Sequence, residues 1–484
     1  MIWQIVRKEI HHNLTTLRFA LIIIILPVLF VANSLIYSFG YGYTAQVDTY
    51  NQQITQNRDH VADYANKGLA ELALVGPGEI PKRPNRLTFC ADGADKLIPR
   101  SVKMMNVGML SRAGYGYEVY RWRPPWILEY PLDNKSGSAM QRIKIDWVFI
   151  GILMSFFAIL FTFDAIAGER ARGTLSLMMS NTVSRGQVLL GKYLGAFITL
   201  MVPLIVSILI NLLVILFSGN IPFESSEGLR ILGMVVLFAL LVSIFIFLGL
   251  FFSSRVSNAI TSLVWLLLTW VFLAFVFPSL LGTFVGNLNP IPSADEVVKQ
   301  KHAQLEQLYG EYRPFNSPGG ITPKLGKAAS AKDPETTRLW ADFLSREVET
   351  KTRLSDAHID QQFQQVQLAR DLTQISPIAT FQYAMEGLAN TGIVSYTNFV
   401  KQARRYRQMF IDFIKTEDRG DPESLHIYPV KEGLSQKPVD PDAVPVFEEQ
   451  ISYRSVLIQV MLLVLFNLLF FIIALVSFMK SDLK

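Results

Sequence analysis

The chain has a single cysteine, Cys90, in 484 residues. An intramolecular disulfide is therefore excluded, and any compact part must be held by packing. Histidine is nearly as scarce, with six in the whole chain. His60, His302, His358 and His426 lie far apart without metal-ligand spacing, and the neighbours His11 and His12 leave a helix on different sides. No His-Glu-x-x-His or Gly-x-Ser-x-Gly occurs, so nothing points to a zinc protease or a serine hydrolase. Charge is sparse too: 18% of residues are charged and the net charge is +5. No basic stripe is interleaved with aromatics, so a nucleic-acid partner is not expected. The segment 320–327 comes near a phosphate-binding loop, but its spacing is one residue too long, and Ala328 stands where a metal-binding hydroxyl belongs.

What the chain has in quantity is apolar residues, 50% of the total. They fall in runs over 19–37, 147–163, 188–217, 231–252, 259–277 and 456–478, each long enough to cross the roughly 30 Å core of a bilayer. A soluble chain alternates apolar and polar positions instead. The pattern predicts about six transmembrane helices. No small-residue cleavage site follows the first run, which reads as a retained anchor. Connections on one side carry Lys or Arg, whereas the short turn 224–227 is acidic, with only Arg230 at its edge. Excess Lys and Arg in short loops marks the cytoplasmic side, which puts both termini in the cytoplasm of a multi-pass protein of the cell (inner or plasma) membrane. No run carries a charge near its centre, as a proton or ion relay needs. Asn33 and Ser34 read as helix-to-helix hydrogen-bonding groups.

Between the second and third runs lies a short, polar, basic stretch, 163–192. It holds Arg170, Arg172, Arg185 and Lys192 against Asp164 and Glu169. Thr174, Leu175, Leu177, Met178 and Met179 share one helix face, too short to span but suited to docking on another protein. Gly168-Glu169-Arg170, Arg172-Gly173-Thr174-Leu175, Val183-Ser184-Arg185 and Leu190-Gly191-Lys192 together resemble the cytoplasmic loop of type 2 ATP-binding-cassette (ABC) transporter permeases. Thr182 stands where that family has Pro. The resemblance implies that Glu169, Arg170, Arg172, Gly173, Thr174, Leu175, Met178 and Arg185 couple the chain to an ATPase. Leu175 and Met178 would fill a groove there, with Glu169 and Arg172 at its rim. It also implies an amphipathic N-terminal elbow helix. Residues 1–18 fit, with Ile2, Ile5, Val6, Ile10 and Leu14 near one face and a Lys8-Glu9 pair common in the family. The same residues also read as a charged flank that only sets topology.

Two long polar insertions, 41–145 and 278–454, fall on the outer side. The first reads as mixed α/β. It has a helix over 46–74 without breakers until Gly68, a Gly76-Pro77-Gly78 stop, and strands near 86–90 and 117–123. Its segment 87–99 resembles the outer insertion of a subgroup of these permeases. The second reads as mainly helical: 294–313, then a breaker-rich stretch, then 335–375 as one helix of roughly 60 Å. Ser376-Pro377 opens a further helix to Gly387, and Ser395 another to Thr416. Lys401, Arg404, Arg405 and Arg407 on the last read either as a solvated face or as a contact for headgroups or an anionic substrate.

The expected fold is thus an all-α polytopic membrane protein with about six transmembrane helices and two large extracytoplasmic insertions. The elbow occupies 1–18, the first span 19–40, four spans with the coupling loop 164–190 lie within 146–277, and the last span is in 455–484. The resemblance implies the permease subunit of an ABC exporter working by alternating access. Such a chain is not catalytic and has no cofactor of its own; ATP and Mg are bound by a partner ATPase, and a second permease, a copy or a paralogue, completes the pore. Two alternatives are a mechanotransmitter that drives its outer domains without moving a substrate and a non-transporting scaffold or sensor. The scaffold has no need of the 168–192 pattern. Cysteines placed at Gln187 and Ser257 should label only from the cytoplasm, and those at Asn220 and Lys332 only from outside. Labelling at Lys332 from the cytoplasm would overturn the span assignment.

Overall fold

The computed structural model describes residues 2–39, 43–93, 99–106, 126–129, 145–179, 183–218, 225–312, 334–420, 437–450 and 456–481. Helix α1 (Ile2–Leu14) leads into α2 (Leu17–Phe39), an apolar helix that tolerates Pro27. Helix α3 (Tyr43–Lys67) stops at Gly68, whose φ of 120° few other residues adopt, and α4 (Leu69–Val75) stops at Gly76. Strands β1 (Glu79–Pro81), β2 (Ser101–Asn106) and β3 (Trp126–Glu129) form an antiparallel sheet in that order. Residues 86–90, expected as a strand, form turns instead, and 117–123 lie outside the described residues. The turns are fixed from outside: Asn33 on α2 donates to the Phe89 carbonyl at 3.0 Å, and Tyr37 to that of Arg86 at 2.6 Å. Asn33 also accepts from Asn211 at 3.0 Å, the expected helix-to-helix bond, whereas Ser34 bonds within its own helix.

Helix α5 (Trp147–Thr162) is capped by Asp146, which accepts from the Phe149 amide. Two short helices follow, α6 (Ala167–Ala171) and α7 (Thr174–Met179). Helix α8 (Arg185–Phe217) opens with a capping box between Ser184 and Gln187. Then come α9 (Ser225–Arg255) and α10 (Ala259–Val271). The fifth span does not end at Phe277. It passes through a π-turn at Phe272–Val276 and continues as α11 (Phe277–Leu288). Pro278 has no amide hydrogen to donate and clashes with a regular preceding turn, and the wide turn below it absorbs both defects. Among the described residues, six helices are long and apolar enough to cross a membrane.

The second insertion holds α12 (Ala294–Tyr312), α13 (Pro334–Thr373), α14 (Pro377–Ala389) and α15 (Gly392–Arg419). Helix α13 runs unbroken for 40 residues. Ser376 caps α14 by accepting from the Ala379 amide. Thr391, not Ser395, sits at the N-cap of α15; Ser395 is buried one turn in. Lys401 and Arg405 are exposed, whereas Arg404 and Arg407 are partly buried. The latter two pair with Asp356 and Asp360 of α13 at 2.8–3.5 Å. Helix α16 (Val456–Met479) closes the chain.

Among the described residues two apolar cores result. One lies in the bundle of α2, α5, α8, α9 and α16. It also takes in Leu87, Phe89, Cys90 and Ala91 from the first insertion and Ile378, Phe381, Ala384 and Met385 of α14. So α14 is part of the bundle, as a 13-residue apolar helix too short to span must be to bury itself. The other core joins α3, α4 and the sheet to α13, α15 and Val439 and Val444, so both insertions share one interior. The bundle end carrying α1 and the end of α16 is called basal below, and the end carrying the insertions apical. Cys90 is fully buried, and burial together with Asp146 pushes its thiol well above the usual range. A maleimide should therefore leave native protein unmodified and label one thiol per chain after denaturation; rapid native labelling would contradict this packing.

Candidate functional site

A lysine inside an apolar run must find negative partners, because an unpaired buried charge is too costly to keep. Lys192, near the start of α8, is such a residue: its side chain is 1% exposed. Its Nζ lies 2.8 Å from Glu9 Oε1 on α1 and 2.8 Å from Glu169 Oε2 on α6. Lys8 Nζ reaches Glu169 Oε1 at 3.2 Å. Two ammonium groups thus balance two carboxylates, and three elements far apart in sequence meet at one point.

Glycines make the meeting possible. A Cβ on Gly195 would stand 2.5 Å from Glu9 Cβ, and one on Gly191 would stand 2.7 Å from Ile5 Cγ2. These small positions one turn apart let α1 lie directly on α8. The buried face of α1 is Ile5, Val6, Glu9 and Asn13. It overlaps the apolar face read from the sequence but includes two polar residues, and Leu14 is left exposed. Asn13 continues the contact by donating to Thr199 Oγ1 at 3.5 Å.

The loop that follows α5 is tied into the base of the bundle. Arg18 donates to both Asp164 oxygens at 3.0–3.1 Å and to the Leu160 carbonyl at 2.7 Å, and lies over the Phe163 ring. Ser253 Oγ accepts from the Ile166 and Ala167 amides at 2.9 and 3.0 Å, so a residue of α9 caps α6. Arg170 donates to the carbonyls of Ser254 and Val256 at the end of α9. Arg185 donates to those of Phe478, Met479 and Ser481 at 2.7–3.2 Å, closing the C-terminus of α16. Gly173 has a φ of 72°, which lets α7 turn back from α6, and Thr174 donates to the Glu169 carbonyl at 3.2 Å.

The expected outward face of α7 is turned inward. Leu175 is 1% exposed in the bundle core, with Met178 half-buried against it. Glu169 is buried in the ion cluster rather than at a rim. Helices of 5 and 6 residues cannot bury a face on one another, so they lay their apolar residues on the bundle. Of the eight residues read from the sequence, Arg172, Gly173 and Thr174 are exposed. Thr182 and the side chains of Leu177 and Met179 lie outside the described residues. The sequence reading missed the partners of Lys192 and the role of Glu9. A signal existed: a lysine set in the apolar run that opens with Val188, Leu189 and Leu190 needs carboxylates, and Glu9 and Glu169 stand in the two polar segments next to apolar runs. Among the described residues, no group of three or more His, Cys, Asp or Glu is placed to hold a metal.

A family model described as ABC-2 family transporter protein matches residues 3–483. Two probable ABC transporter permease proteins NosY also match a segment of 43 residues. The one from Pseudomonas aeruginosa is 51% identical there and the one from Stutzerimonas stutzeri 49%. Each match covers 9% of this chain and 16% of the relative.

Removing one member of a buried ion group leaves its partners uncompensated. Lys192→Met should cost about 3–5 kcal/mol in thermal or denaturant unfolding. Adding Glu9→Gln and Glu169→Gln should recover more than half of that loss. A single substitution that costs nothing, or a triple that is worse than the single, would contradict the cluster.

Proposed function

The chain belongs to the ABC-2 family of transporter proteins, and on that footing we propose that it is the permease subunit of an ATP-driven exporter whose ATPase is a separate chain. With its apolar helices, family membership makes it a multi-pass membrane protein, a permease component that is not itself catalytic. In the proposed reading the basal end and both termini are cytoplasmic, in the cell membrane. ATP and Mg are bound by the ATPase, and a second permease, a copy or a paralogue, completes the pathway. Closure of the ATPases on ATP drives the spans between inward- and outward-facing arrangements.

The observation that carries this reading is the way α6 and α7 are fastened. Their exposed edge at Arg172–Thr174 is backed by bonds to four other helices: α1 and α8 through the Lys192 cluster, α2 through Arg18–Asp164, and α9 through Ser253 and Arg170. A push on that edge is therefore delivered to several spans together, as rigid packed contacts transmit displacement rather than absorb it. An element that only filled the base of a scaffold would need no such fastening.

Arg172→Glu with Thr174→Arg should cost no more than about 1.5 kcal/mol of stability, since both side chains are exposed and the one bond lost is that of Thr174 to the Glu169 carbonyl. The same pair should weaken co-purification of the ATPase and uncouple its activity in lipid. Leu175→Ala is the contrasting control, expected to destabilise the chain by about 2–5 kcal/mol through lost packing. Full ATPase association and stimulation in the Arg172/Thr174 double variant would overturn the coupling role of this loop.

A further inference from the structure

The apical end contains an arrangement that transport through the spans does not require. Helix α14 lies among α5, α9 and α16. Phe381 is fully buried, its ring 5.3 Å from that of Phe238, and it fills the space above Gly151, where a Cβ would stand 2.4 Å from the Phe381 ring. Leu388 sits on Gly233 in the same way, at 3.2 Å. Interiors packed this closely move as units, so α14 follows the spans that grip it.

Helix α14 is joined to α13 by a turn with no slack. Ser376 Oγ donates at 2.7 Å to the Leu273 carbonyl, within the π-turn of the fifth span. Thr380 donates to the Gln374 carbonyl at 2.7 Å, and Thr373 and Tyr383 share a hydrogen bond of 2.7 Å. Arg370 pairs with Glu386 at 2.7 Å and stacks 3.8 Å from the Tyr383 ring centroid. Glu386 is buried, accepts a second bond from Gln382 at 2.9 Å, and is crowded by Gly93 and Gly392. The other end of α14 is fixed where Thr391 donates to the Ala91 carbonyl at 2.8 Å. From this knee α13 extends for 40 residues into the domain formed by the insertions.

We propose that the α13–α14 knee is a mechanical joint through which movement of the spans swings the apical domain. The inference rests on the permease reading above and adds an output to it. A π-turn inside a span is a place where a helix yields, and here its freed carbonyl is the one that holds the knee. Gly392 and Asn390, with φ of 76° and 54°, supply the bend on the far side of α14. Helix α14 is about 20 Å long and α13 about 60 Å. A displacement of about 1–2 Å, usual for helices in switching proteins, would thus become about 3–6 Å at the far end of α13.

The test uses the full chain with its ATPase in nanodiscs. Spin labels replace Glu349 on α13 and Leu229 at the apical end of α9, both exposed, with Cys90 buried and silent. Pulsed-dipolar distances are measured without nucleotide and after trapping with ATP and vanadate. Glu349 lies about 36 Å from the knee, so the distance should shift by about 2–4 Å on trapping. Ser376→Ala should reduce the shift, and a Gly-Ser-Gly insertion after Ile375 should abolish it while stimulated ATPase activity remains. No shift in the unaltered chain with ATPase activity intact would overturn the joint alone, as would an undiminished shift in the insertion variant. Failure of the chain to associate with any ATPase would remove the permease reading and the joint with it.

Discussion

Lys192 is held where water does not reach, and its charge has to be answered by residues from other parts of the chain. That demand organises the basal end. It brings α1 onto α8, which in turn needs glycine at 191 and 195, and it turns Glu169 inward, which fixes the direction of α6. Buried ion groups are seldom a source of net stability when set against apolar packing. Their use is positional: an ammonium shared by two carboxylates at 2.8 Å admits few arrangements of the helices that carry them. The basal platform is therefore specified by charge rather than by apolar area, in a bundle where almost everything else is apolar.

The apical end solves a different problem. Turns at 86–91 and helix α14 enter the bundle core, so the spans are closed by parts of the insertions rather than by one another. Trp147 stands at the centre, its ring 5.6–6.2 Å from those of Phe30, Phe89 and Phe238. Polar groups that come with the turns are satisfied locally, as backbone in an apolar setting must be. Tyr37 and Asn33 donate to the carbonyls of Arg86 and Phe89, and the Trp147 amide donates to that of Cys90.

The spans were legible because each is a long apolar run, a signal that depends on composition alone. The boundaries of α5 and α16 and the Ser376-Pro377 helix start were legible for the same local reasons. Features set by tertiary contact were not. Pro278 reads as a stop until the π-turn beneath it is seen. Leu87, Phe89 and Ala91 alternate like a strand, yet their amphipathic pattern serves a turn docked on α2 and α5. Leu175 looks like an exposed anchor because its loop is polar, but the bundle base offers it a nearer apolar surface. At the candidate site, the residue types and spacing singled out the loop, while the direction of each side chain depended on Glu9, Arg18 and Ser253, which no local pattern connects to it.

The shared interior of the two insertions bears on how the chain is made. Residues Leu69, Ile80, Val102 and Leu128 form one half of that core, and Tyr396, Phe399, Phe410 and Ile414 form much of the other. Four helices long and apolar enough to cross a membrane and well over two hundred residues of synthesis separate the halves. At about 5–20 residues per second, the first half waits tens of seconds with its apolar face uncovered. Its three-stranded sheet is left with open edges in that interval, the kind of surface that recruits stray strands. Biogenesis of this protein is thus a timing problem as much as an insertion problem, and a holding factor that shields the early half until the fifth span is through would act at its most vulnerable step.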